Sequence, residues 1–157
     1  MCTNTTKGLS FMDNEVNILS LMKQDHLDIE SLIDTLNESL EDSYDLMKKN
    51  FERFEWKLEK HLFVEEKAIF IFYEPDDIQQ GFQMLPTLMK QHNYIINELN
   101  RMRKEVAKGN SPLGLDELKL FIMKHRNYEE RDVYPKLQET LTSEQKKQVV
   151  DRIKEIS

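Results

Sequence analysis

The sequence predicts an all-α protein, an up-down-up-down four-helix bundle with a short fifth helix at its C-terminus. Three observations lead there. Apolar residues recur at alternating steps of three and four in four successive stretches, the spacing that lines one face of a bundle helix. Only four Gly and four Pro occur in 157 residues, so long stretches run without a breaker. The chain also repeats itself. His61-Leu62-Phe63-Val64-Glu65 returns as His125-Arg126-Asn127-Tyr128-Glu129, and the match runs on from Glu65–Phe70 to Glu129–Tyr134 at a constant offset of 64. The two remaining histidines, His26 and His92, are 66 apart, so all four fall into two copies of one pattern.

Residues 1–12 read as a polar arm with one apolar patch, Leu9–Met12, and residues 13–157 as the bundle domain. Asp13 or Asn14 is expected to cap the first helix. Its stripe is Val16, Leu19, Met22, Ile29, Ile33, Leu36 and Leu40, with His26 inside it. The cluster Glu41-Asp42-Ser43 ends this helix and starts the second. There Met47, Phe51, Phe54, Leu58, His61, Glu65, Ala68 and Phe72 alternate by four and three. Glu74–Asp77 is a turn, and the third helix begins between Ile78 and Thr87, with Gly81 and Pro86 loosening its first turn. Beyond it Leu85, Leu88, His92, Ile95, Leu99, Met102 and Val106 form the third stripe. Lys108-Gly109-Asn110-Ser111-Pro112 supplies a terminator, a cap and a first-position proline for the fourth helix. Its stripe is Leu118, Ile122, His125, Glu129, Val133 and Leu137, and Pro135 is expected to bend or end it. Thr142-Ser143-Glu144-Gln145 is a capping box for the fifth helix, with Val149 and Ile153 facing inward.

Composition excludes several functions. A net charge of −7 disfavours nucleic acid and anionic membrane as partners. The longest strongly apolar run, Ala68–Tyr73, is too short to span a bilayer, and the polar N-terminus has no signal-peptide core. The sole cysteine, Cys2, permits no intrachain disulfide and no thiolate cage. These features fit a reducing, cytoplasmic setting. Met47, Phe51, Phe54, Met102 and Phe121 are expected to form an apolar shell that limits water access.

The ionisable residues on the stripes carry the chemistry. A histidine and a glutamate four apart on a helix share a face about one turn apart, a two-point clip for a metal ion. An unpaired carboxylate is costly to bury, so Glu65 and Glu129 each need a partner in the core. Measured from the connecting loops at about 1.5 Å per residue, the four histidines lie within roughly one turn of the same depth. Six residues then meet near mid-bundle: His26, His61, Glu65, His92, His125 and Glu129. Nitrogen and oxygen donors without thiolate argue against a structural zinc cage and against iron–sulfur clusters. Two carboxylates can bridge a cation pair, while the imidazoles leave positions for water or a diatomic molecule. Iron suits such a site, with manganese as second choice. Ferritin-like sites use Glu-x-x-His instead of His-x-x-x-Glu, which makes a ferritin-type oxidase the weaker match.

This set, in this order on four successive helices, resembles the hemerythrin-like (HHE cation-binding) family. The resemblance spans roughly residues 15–155, including the Glu-Glu-x-x-Val-Tyr-Pro run from Glu129 to Pro135. It implies a non-haem centre of two iron ions, oxo- or hydroxo-bridged, with Glu65 and Glu129 as bridging carboxylates and the histidines as terminal ligands. The oxygen carriers it resembles place a further His four residues after the third-helix His, where this chain has Ile96. They also end on His-x-x-x-x-Asp, whereas Glu129 and Glu130 stand four and five residues after His125. The chain therefore looks more open than a carrier, and Glu30 or Tyr128 are candidates to complete the site.

The leading functional reading is a redox-active di-iron protein that binds or reacts with O2, peroxide or nitric oxide. A second is an iron, oxygen or redox sensor acting through a separate protein partner, since metal binding couples to folding. O2 carriage or storage and iron storage rank lower, one small site holding about two ions. Repair of iron–sulfur centres also ranks lower, because the resembling repair proteins carry an additional cysteine-containing N-terminal domain. A bundle with purely structural histidines is the plainest alternative.

Overall fold

A computed structural model describes residues 17–72 and 84–156. Helix α1 spans Ile18–Glu38 and α2 spans Tyr44–Val64. The second runs on through a π turn, Glu65–Ile69, and a 3-10 turn, Phe70–Phe72. Helix α3 covers Met84–Ala107 and α4 covers Leu115–Tyr128. A second π turn, Glu129–Val133, leads into α5, Tyr134–Thr140, and α6 follows at Ser143–Ile156. Among the described residues there is no strand. Helices α1 and α3 each pack against both α2 and α4, which closes the four into a square. The all-α bundle with an added C-terminal helix is as expected.

The helix ends follow from local chemistry, twice at other residues than expected. The side chain of Asn17 accepts from the Ser20 amide at 2.7 Å, and Ser20 Oγ in turn meets the Asn17 amide, so Asn17 caps α1. The expected caps Asp13 and Asn14, the polar arm, Val16 and the turn at Glu74–Asp77 lie outside the described residues. Ser43 caps α2 as expected. Helix α3 closes in a Schellman turn, with Gly109 at φ +91 and the Asn110 amide bonded to the Glu105 carbonyl. Ser111 and Pro112 do not open α4. The chain first makes a left-handed turn at Gly114, φ +85, whose carbonyl takes the Leu118 amide, while Arg101 holds the Leu113 carbonyl. Thr142 and Gln145 form the anticipated box at α6.

The π turns shift the side-chain register. Each is closed by the same bond, from the Phe70 amide to the Glu65 carbonyl and from the Tyr134 amide to the Glu129 carbonyl. An i→i+5 bond adds one residue to the turn. In consequence Ile69 and Phe70 are buried and Phe72, expected inside, is only half-buried. The first copy has no proline, so Pro135 is not the common cause. It sits in the first turn of α5, where its missing N–H costs nothing.

Two apolar clusters fill the bundle. One, around Ile18, Met22, Ile69, Phe70, Val133, Leu137 and Val149, is closed off by α6. The other, around Ile33, Met47, Phe51, Phe54, Leu99, Met102 and Leu118, fills the opposite end. Phe121 is half-buried and packs on Tyr94. Every stripe crosses from one cluster to the other at an ionisable residue: Met22–His26–Ile29, Leu58–His61–Ala68, Leu88–His92–Ile95 and Ile122–His125–Val133. The polar layer between the clusters is where the candidate site lies. Among the described residues no helix is long and apolar enough to cross a membrane.

Candidate metal centre

All six sequence-selected residues meet in that layer, and none is more than 4% exposed. Their donor atoms fall into two groups compact enough to hold a cation each: Glu65, His92, His125 and Glu129, and His26, His61 and Glu129. Glu129 belongs to both. Its Oε1 lies 3.1 Å from His125 Nε2 and 3.2 Å from His26 Nε2. Glu65 Oε1 lies 2.9 Å from His61 Nε2 and 3.5 Å from His92 Nε2. The Nε2 atoms of His26 and His61 face each other at 3.2 Å.

The histidines are aimed from outside. Each Nδ1 meets an acceptor on a neighbouring helical segment: Asp25 at His61, Glu66 at His92, Gln91 at His125 and Glu130 at His26. The contacts close a ring, for each segment orients the histidine of the next. Carboxylates and an amide carbonyl can only accept, so every Nδ1 carries the hydrogen, and a ring in its neutral form turns a lone pair inward at Nε2. The four acceptors stand directly beside stripe residues in sequence, which is why they read as solvated flanks.

Electrostatics follow from burial and crowding. Burial opposes charging His61, but Glu65 and Asp25 outweigh it and lift His61 to about 9. Burial, together with the nearby His61 charge, pushes His26 down to about 4. Of the two facing rings, His61 is therefore the more readily protonated. Burial also opposes the Glu65 charge, yet the surrounding imidazoles hold its carboxyl well below the usual range. Among the described residues six buried side-chain atoms have no hydrogen-bond partner: Arg126 Nε and, in the layer itself, Glu65 Oε1, both carboxylate oxygens of Glu129, and Nε2 of His92 and His125. Orphaned acceptors at this density are costly in a core unless a positive charge satisfies them. The donor set fits a pair of cations.

The model of the hemerythrin HHE cation-binding domain matches residues 17–137. The chain belongs to the hemerythrin HHE family. Domains of this family bind metal cations, and the buried His/Glu layer is where this member could hold them. Neither the curated proteins nor the solved structures compared with the chain gave a match.

Four features of this HHE domain were not legible in its sequence. Tyr134, fully buried, donates its hydroxyl to Glu65 Oε2 at 2.8 Å, and burial with the Glu65 charge keeps the phenol protonated. It thus touches the donor layer directly. Tyr128 packs against the first apolar cluster. Glu30 does not join the donor groups, because its carboxylate pairs with Arg126 at 2.6 Å. Ile96, where the oxygen carriers have a fifth His, packs on the second cluster. Finally, a cavity of about 20 Å³ reaches His26, His61 and His125 between walls that include Ile29, Leu58, Ile95 and Ile122, with Glu30, Lys119 and Arg126 also lining it. That volume holds about one water-sized molecule.

Proposed function

We propose that the chain is a non-haem di-iron protein that binds and reacts with O2, peroxide or nitric oxide, with His26, His61, Glu65, His92, His125 and Glu129 as the ligands. One observation carries the reading. The small cavity is lined by both histidines of the group with the fewest protein donors, His26 and His61, together with His125 of the other group. Open coordination and access therefore meet on that side, and space for about one water-sized molecule suits a diatomic ligand. Iron held there supplies one-electron redox chemistry and open positions for such a ligand. The residues do the rest. The imidazoles are fixed by their Nδ1 partners, Glu129 spans both groups, and the apolar walls keep bulk water away.

The test is metal content per chain together with an optical spectrum before and after air, then on adding peroxide or nitric oxide. About two irons, near-ultraviolet ligand-to-iron bands, and a spectral change with at least one of the three ligands are expected. One zinc, or no spectrum after reconstitution with iron, would overturn the reading.

A further inference from the structure

The two copies of the motif differ by one buried hydroxyl. Phe70 and Tyr134 occupy matched positions, each at the close of its π turn. Each ring also lies beside a histidine of the layer, Phe70 at 5.3 Å from His92 and Tyr134 at 6.1 Å from His26. Only Tyr134 has a hydroxyl to offer, and it donates a hydrogen bond to Glu65 Oε2. Among the described residues nothing does the same for Glu129, both of whose oxygens stay without a hydrogen bond. The donor groups divide the same way: Glu129 enters both and Glu65 only one.

We infer that Tyr134 is a positioning residue that occupies one oxygen of Glu65, so that Glu65 offers cations a single oxygen, the one 2.9 Å from His61 and 3.5 Å from His92, where Glu129 keeps two. The inference rests on the two-cation reading above and deepens it. The Glu65–His92–His125–Glu129 half keeps two carboxylates and four donors. The His26–His61–Glu129 half has one carboxylate and three. Cations then load in order, the four-donor half first, and the second cation keeps the open positions that face the cavity. Had both positions been tyrosine or both phenylalanine, the repeat would leave the two carboxylates alike.

The experiment is a titration of the full chain, stripped with chelator, with Co(II). It is followed by visible absorption and by competition against a chromophoric chelator. The expected wild-type result is two Co(II) per chain in steps separated on the order of tenfold or more. Tyr134→Phe, which keeps the ring and frees Glu65 Oε2, still takes two, with the second step tightened until the pair merges to within about threefold and the visible band of the second ion altered. Phe70→Tyr, by claiming an oxygen of Glu129, should make the two carboxylates alike from the other direction and likewise bring the steps together. Two Co(II) per chain with the wild-type separation retained in Tyr134→Phe overturns the inference alone. Fewer than two in the wild type overturns the two-cation reading and the inference with it. Should circular dichroism show Tyr134→Phe unfolded, Phe70→Tyr decides: a narrower separation supports the inference and an unchanged one overturns it.

Discussion

In the first His-x-x-x-Glu copy, the glutamate gives one oxygen to a tyrosine and the other to the donor layer, and its histidine leans on Asp25. In the second copy the glutamate keeps both oxygens for the layer, and its histidine leans on the neutral Gln91. The clips themselves are alike in helix face, depth and π turn. Their neighbours set them apart. Repeating a donor motif fixes which atoms meet, while residues at matched positions that donate nothing to a cation decide how the two halves differ.

The sharpest way to test that contrast is to remove each carboxylate in turn. Glu129→Gln strips a donor from both groups, and metal analysis should find less than one ion per chain. Glu65→Gln should retain about one, in the half formed by His26, His61 and Glu129. Equal losses would mean that the carboxylates are interchangeable. A smaller effect is expected from Asp25→Asn, which leaves His61 with a neutral partner like that of His125. Metal affinity should fall roughly tenfold, measured by chelator competition, with the fold unchanged by circular dichroism.

The metal-stripped protein should show the opposed histidines through pH. His61, raised from 6.5 to about 9, stabilises the fold fully below pH 6.5, and that contribution is lost as pH climbs toward 9. His26, lowered from 6.5 to about 4, has its contribution in place above pH 6.5 and loses it as pH falls toward 4. Thermal melts across this range should therefore peak near pH 6.5, and a monotonic profile would contradict the opposed shifts of His61 and His26. The smallest effect is reserved for Pro135→Ala. Since the first copy builds its π turn without proline, the second should keep its own, with a stability change under about 1 kcal/mol in denaturant melts.

The donors were legible because helical periodicity converts sequence spacing into direction. A histidine inside an apolar stripe must face the core, and six such residues at one depth must meet. Tyr134 was not legible as a partner of Glu65, since 69 residues separate them and a tyrosine on a stripe reads as packing. A signal did exist in the Phe70–Tyr134 mismatch within an otherwise aligned repeat. The π turns escaped because a three-four alternation presumes 3.6 residues per turn throughout, which cost Phe72 its place in the core. The start of α4 was misplaced for a similar local reason. Ser111-Pro112 has the chemistry of a helix start, but Gly114 turns the chain left-handed before any helical bond can form.

The closed circuit of Nδ1 contacts has a consequence for assembly. Asp25 steers His61, Glu66 steers His92, Gln91 steers His125 and Glu130 steers His26 back at the start. A one-residue slip of any helical segment would misdirect two histidines, its own and the one it steers. No half-built centre retains its aim. The site should come into being only in the last step of folding, when every segment has found its register, so cation uptake counts correctly finished molecules and ignores the rest.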